Sequence, residues 1–258
     1  LGWRSAKPVI AQDDSSAPDA MGTEAVIRAA YDALNAGDVD GNMAYYPRNA
    51  VSVSLPPPPG TTGVVVGYDE LLQVTKDLVS RNIHMEITDL HAHGESATMT
   101  ALLTEDIFTD LGVAPMEATG TATVQDGLIV MESWVMREES FARFMAAIAA
   151  AENKGLVQRL YDEVYSGQSP DGLGELVTPD ALDAYQAAVT DLQAAFPDLT
   201  VTVDNLLTEG DRVAAVLTFT GTPASGEEVT WSQVDIHRIA DGLLAEAWRI
   251  GGPSVAGE

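Results

Sequence analysis

Apolar residues fall at helical spacing over residues 23–36, where Val26, Ile27, Ala30 and Leu34 share one face. Gly37 then stops the helix, and a second short helix is expected from Asp38 to Tyr46. Residues 50–55 alternate as a strand does. Pro56 to Pro59 cannot hold a central ladder and are expected to run extended. Tyr68 to Ser80 reads as a third helix. Strands follow: Ile83, Met85 and Ile87 share a face opposite His84 and Glu86. Further strands are expected at 96–104, 117–125 and 128–136. Met85, Met99, Met116 and Met131 are expected to fill the core of this half.

The second half repeats the plan in shorter form. Helices are expected near 153–166, 171–177 and 180–195, the last ended by Phe196-Pro197-Asp198. Strands are expected at 199–206, 211–220, 227–239 and 243–250. Val213, Ala215, Leu217 and Phe219 share one strand face.

The two halves also match in words. Tyr31-Asp32 followed by Gly37 answers Tyr161-Asp162 followed by Gly167. Each half closes alike: Asp126-Gly127-Leu128 leads to Glu132-Ser133-Trp134, and Asp241-Gly242-Leu243 leads to Glu246-Ala247-Trp248. A repeat of this length is a domain rather than a solenoid unit. The expected organisation is a leader at 1–22, a first domain at 23–136, a helical connector at 137–152, a second domain at 153–252 and a tail at 253–258. The connector carries no glycine or proline between Arg137 and Lys154, and Phe141, Phe144, Met145 and Ile148 keep helical spacing. It is expected to run into the first helix of the second domain.

Charge changes the picture next. The chain of 258 residues has 13 basic and 39 acidic side chains, a net charge of −26. Such a surface repels phosphates and anionic headgroups, so nucleic acid is not an expected partner. No apolar run is long enough for a membrane span. Cysteine is absent, which excludes disulfides, thiolate metal sites and a cysteine nucleophile. His91 and His93, with Asp89, could face one way on a strand and bind zinc, but no third ligand is indicated; neither a metal nor a cofactor is expected. Val9-Ile10-Ala11 before Gln12-Asp13-Asp14 resembles the end of a secretory signal, from which export to an extracellular or periplasmic place is expected.

Residues 24–41, with Ala33-Leu34-Asn35-Ala36-Gly37-Asp38, resemble the first helix and turn of ketosteroid isomerases. Residues 153–250 resemble the SnoaL-like polyketide cyclases. The pieces that carry this are Asn153-Lys154, Ala195-Phe196-Pro197-Asp198-Leu199, Glu209-Gly210-Asp211-Arg212-Val213, Gly221-Thr222, Asp235-Ile236-His237-Arg238-Ile239-Ala240-Asp241-Gly242, Glu246 and Trp248. Both belong to the nuclear-transport-factor-two-like superfamily. The resemblance implies an α+β fold: two cone-shaped domains, each with three N-terminal helices packed on a strongly bent antiparallel sheet. It also implies an apolar pocket in which a carboxylate base and hydrogen-bond donors act next to a carbonyl.

Matched residue by residue, both copies depart from these families. In the first, the isomerase tyrosine falls on Ala30, with Tyr31 one step round the helix. The base position falls on Ser54-Leu55-Pro56-Pro57, and no carboxylic acid stands among Thr119 to Val124. In the second, Pro223 replaces a histidine, and Glu246-Ala247-Trp248-Arg249 replaces Glu-His-Trp and an acid. Asp235 and His237 survive as candidate catalytic groups, two apart on one strand face. Tyr31, Trp134, Tyr161, Phe219, Trp231 and Trp248 are candidate pocket residues.

Two readings follow. One is a non-catalytic exported tandem protein that binds a small hydrophobic ligand or serves as a structural or assembly subunit, with the two domains pairing internally or in a homo-oligomer. The other is a cyclase or isomerase acting on a polyketide-like or steroid-like carbonyl compound in the second domain.

Overall fold

The fold is given by a computed structural model, which describes residues 22–58, 60–166, 170–224 and 226–252. All but one residue of the expected leader, and the whole expected tail, lie outside the described residues. The chain divides into two compact units between Phe141 and Ala142.

In the first unit, α1 (Thr23–Asn35) and α2 (Val39–Met43) precede β1 (Val51–Leu55) and β2 (Val64–Val66). Then come α3 (Tyr68–Ser80), β3 (His84–His93), β4 (Ser96–Thr104), α4 (Asp106–Asp110), β5 (Met116–Gln125) and β6 (Leu128–Met136). Gly37 ends α1 with φ of +72°, a conformation that costs an L side chain but not glycine. Asp38 caps α2 by accepting the Gly41 N–H at 2.9 Å. The six strands order β2-β1-β6-β5-β4-β3, antiparallel except that β1 runs parallel to β6. Two elements, β2 and α4, were not legible as periodicity because three and five residues are too few to repeat a pattern. The helices pack Val26, Ile27, Ala30, Tyr31 and Leu34 against the inner sheet face.

The second unit begins within α5 (Glu138–Arg159), a 22-residue helix. It winds on into a π-helical turn at Leu160–Tyr165, where the Ser166 N–H reaches the Tyr161 carbonyl five residues back at 2.9 Å. A 3₁₀ turn (Pro170–Gly172), α6 (Leu173–Leu176) and α7 (Leu182–Ala195) lead to β7 (Thr200–Glu209), β8 (Arg212–Gly221), β9 (Val229–Ala240) and β10 (Leu243–Gly251). These four strands form one antiparallel sheet in the order β10-β9-β8-β7. The parallel strand that covers β6 in the first unit shrinks here to a single bridge, Val177 to Leu244. β10 is therefore an edge.

Both units end in the same hairpin, and its register corrects the expectation that they close alike. Asp126-Gly127 and Asp241-Gly242 take positive φ at both turn positions, the conformation of the tightest two-residue hairpin. Counted from the turn, Val124 faces Ile129 and Ile239 faces Leu244. A bulge of one residue then follows in each last strand, after which Ala122 faces Glu132 and His237 faces Ala247. The counterpart of Glu132 is thus Ala247, and that of Glu246 is Met131. A slip of one residue reverses the faces of a strand. Glu132 is buried and Glu246 is exposed. Met131, expected in the core, is 50% exposed for the same reason.

Candidate functional site

The second unit holds a hydrogen-bonded chain on its inner sheet face. Strand alternation points Trp231, Gln233, Asp235, His237 and Ile239 of β9 inward. Asp235 and His237 are 3% and 2% exposed. Tyr161, placed by the π-helical turn, donates its hydroxyl to Asp235 Oδ2 at 2.8 Å and meets His237 Nε2 at 2.8 Å. Tyr185 of α7 meets His237 Nδ1 at 2.9 Å and the Glu246 carbonyl at 3.2 Å. Gln233 donates to Asp235 Oδ1 at 2.7 Å. Arg249, facing Asp235 across the β9–β10 pair, brings its Nε within 3.5 Å of the same oxygen.

Proton bookkeeping gives this chain a direction. Burial holds His237 down at about 4, against the opposing pull of Asp235. The ring is therefore neutral at pH 7, with one N–H and one acceptor. The Tyr161 hydrogen is committed to Asp235, so Nε2 carries the ring proton and donates to the Tyr161 oxygen. Nδ1 is then the acceptor, and Tyr185 donates to it. The order runs Tyr185 to His237 to Tyr161 to Asp235. Burial first, and the Asp235 charge second, raise the Tyr161 hydroxyl well above its ordinary value. Burial likewise lifts Tyr165 to about 12 and raises Tyr185. All three remain proton donors at neutral pH.

Beside this chain lies a cavity of about 480 Å³, lined by Tyr165, α7, the Asp235 and His237 side of β9, and residues 245–249 of β10. Its volume suits a small organic ligand. The reason for the space is visible at the start of α7: Ala181 just before the helix, and Ala184 and Ala188 within it, stand where larger side chains would fill it.

The first unit builds a related cluster with a different carboxylate. Tyr31 and Tyr46 donate to Glu132 Oε2 at 2.7 and 3.0 Å, and Ser52 of β1 donates to Oε1 at 3.0 Å. Trp134 Nε1 donates to the Tyr31 oxygen at 2.8 Å. Burial raises the Glu132 carboxyl, and the bonds from Tyr31, Ser52 and Tyr46 pull against it. The first copy thus has an inward acid outside the two stretches matched to the isomerases, Ser54 to Pro57 and Thr119 to Val124. The acid stands on β6 rather than β5, and the small inner residues Ala118, Gly120 and Ala122 of β5 make room for it and for Trp134. Tyr46, Ser52 and Glu132 were missed. Counting four residues from Leu128 and from Leu243 would have shown that Glu132 and Glu246 point opposite ways.

The candidate residues thus fall into four groups. Asp235, His237 and Tyr161 share one chain of bonds, and Asp235 and His237 also line the cavity. Trp248, 43% exposed, stands at the cavity rim. Phe219 is fully buried, and Trp231 stacks on it at 5.1 Å with rings 8° from parallel; both belong to the core. Tyr31 and Trp134 are tied to Glu132, their rings edge-on at 5.6 Å. Asp89 and His91 pair at 3.1 Å on an exposed face. Among the described residues no group of three or more acidic or imidazole side chains is placed to hold a metal, and no helix is long and apolar enough to cross a membrane.

Comparison with known proteins agrees with this division. No curated protein matches the chain. Among solved structures, TsrD from Streptomyces laurentii is 27% identical, covering 39% of this chain and 87% of its own, with a TM-score of 0.36. An NTF2-like protein of unknown function from Cytophaga hutchinsonii is 10% identical, covering 47% of this chain and 96% of its own, with a TM-score of 0.38. Residues 27–132 match the SnoaL-like domain family, and residues 155–251 match the SnoaL-like polyketide cyclase family. The chain is therefore a tandem of two SnoaL-like domains, each of mixed α+β fold.

Proposed function

We propose that the second domain is an acid–base catalyst acting on a small enolisable carbonyl compound of the polyketide-like or steroid-like class, and that the first domain is not catalytic. The observation that carries this reading is the cavity of about 480 Å³ with Asp235 in its wall. Tyr161 and Gln233 hold that carboxylate on both oxygens.

The chemistry would proceed in two steps. Asp235 takes a proton from the carbon next to the substrate carbonyl, and the C–H electron pair moves into the enolate. The Tyr165 hydroxyl lines the cavity and is the donor available to the developing oxyanion, since the Tyr185 hydrogen is committed to His237. The enolate then either regains the proton at another carbon, an isomerisation, or attacks a second carbonyl of the same molecule. In the second case Asp235 returns its proton to the new alkoxide, which completes a cyclisation.

The first domain lacks the counterpart positions. Gly120 and Ala122 stand where the second domain has Asp235 and His237, and β1 lies against β6 and sends Ser52 to the carboxylate. Its acid serves the packing of three hydroxyl groups.

The test is deuterium uptake at the enolisable carbons of a panel of aryl ketones and diketones, followed by NMR. Asp235→Asn keeps the shape and removes the base, so uptake should fall by roughly 10²–10⁴-fold, whereas Glu132→Gln should leave it unchanged. Uptake that survives Asp235→Asn would remove the acid–base reading.

A further inference from the structure

Arg249 is the one positively charged side chain among the described residues that line the cavity. In a chain of 13 basic and 39 acidic residues, a guanidinium at a cavity wall is uncommon by composition alone. Its position follows from register: Arg249 faces Asp235 across the β9–β10 pair, on an edge strand that no β1 equivalent covers.

The Arg249–Asp235 contact engages only part of the guanidinium. Nε lies 3.5 Å from Oδ1, longer than a hydrogen bond, and that oxygen already accepts from Gln233 at 2.7 Å. A second contact goes to the Tyr165 hydroxyl. The group has five donors in a planar fork, and the side chain is 40% exposed. That leaves further donors on a side chain that lines the cavity.

The other charges in the wall do not occupy them. The Glu246 carboxylate takes Arg238 Nε and Nη2 at 2.9 and 2.6 Å. Asp180 is exposed. His237 is neutral, with both ring nitrogens engaged.

We infer that the cavity selects an anionic carbonyl compound, one bearing a carboxylate that Arg249 grips while the enolisable carbon lies against Asp235. The inference rests on the catalytic reading of the same cavity for its second clause only; the grip on the carboxylate stands without it. A fork donating two parallel hydrogen bonds matches a carboxylate in shape as well as charge.

The probe is β-benzoylpropionate against its methyl ester, a pair that differs in one charge and shares the enolisable CH₂. Wild-type protein should bind the acid about 10- to 100-fold more tightly than the ester, the range of a hydrogen-bonded charge pair, and should favour it similarly in deuterium uptake. Arg249→Gln should lower the acid-to-ester ratio by about tenfold or more, with Arg249→Lys between. Calorimetric binding on wild type needs no variant and reads the grip even if a variant folds poorly. Equal binding of acid and ester, binding of neither, or a ratio unchanged in Arg249→Gln overturns the inference. If the acid binds preferentially but neither compound takes up deuterium, the carboxylate grip stands and the catalytic reading falls.

Discussion

Tyr31 and Tyr161 hold the same place in the first helix of each domain, yet their hydroxyls serve carboxylates from different strands: Glu132 of β6 at 2.7 Å and Asp235 of β9 at 2.8 Å. The exchange is concerted across the hairpin. Where β9 carries Asp235 and His237, β5 carries Gly120 and Ala122; where β6 carries Glu132 and Trp134, β10 carries Ala247 and Arg249. One domain has β1 laid over its last strand, and the other leaves that strand as an edge with a cavity beside it.

His237 should make the second domain sensitive to mild acid. Unfolded, the ring takes a proton near 6.5; folded, burial delays this to about 4. Between those values the unfolded chain binds more protons, so stability falls as pH drops through that window. The full loss is on the order of 3 kcal/mol. Urea unfolding of wild type and His237→Gln from pH 7 to 4 should show a steep decline in the first and a flatter one in the second. Equal slopes would mean that the ring charges without cost.

Glu132 carries the opposite sign. Its folded carboxyl lies above the ordinary value because of burial, so the native first domain takes up that proton at a higher pH than the unfolded chain does. This contribution is fully present below the unfolded value and is lost as pH rises through the folded one. Glu132→Gln should therefore match or exceed wild-type stability at pH 7 and weaken the loss of stability as pH rises above the ordinary carboxylate value. Glu132→Ala should cost about 1–3 kcal/mol by stranding the hydroxyls of Tyr31 and Tyr46. Equal losses in the two variants would argue that the carboxylate form is itself stabilising.

Gly120 is needed for space. A Cβ there would lie 2.8 Å from Cε3 and Cζ3 of Trp134, a ring held by its bond to Tyr31. Gly120→Ala should destabilise by about 1–3 kcal/mol through overpacking. The loss should be partly recovered in the Gly120→Ala, Trp134→Phe double variant relative to the sum of the singles. Additive losses would show that the ring is not the obstacle.

The net charge of −26 predicts self-repulsion in the compact state. The melting temperature should rise as salt is raised from about 0.01 M to about 1 M, over which the screening length falls tenfold. A melting temperature constant over that range would show that the acidic side chains are already far enough apart.

Local pattern in the sequence determined much of this. Periodicity placed α1, α3, α7 and the long strands other than β3 near their observed ends, because each spans enough residues to repeat its burial pattern. The two Asp-Gly turns marked both hairpins, because the tightest turn needs positive φ twice. Alternation put Asp235 and His237 on one strand face. The sequence also misled where it matched itself: Glu132-Ser133-Trp134 and Glu246-Ala247-Trp248 look like one motif, yet they stand one residue apart in register, and one residue reverses a strand. Tertiary structure alone decided which residues meet. Tyr31, Tyr46 and Ser52 come from α1, the turn after α2 and β1, 80 to 101 positions from Glu132. Tyr161 and Tyr185 lie 76 and 52 positions from His237. No local spacing encodes such partners, since they are set by how the helices pack on the sheet. The open cavity is decided in the same way, by a covering strand that is reduced to one bridge and by three alanines on or just before the facing helix.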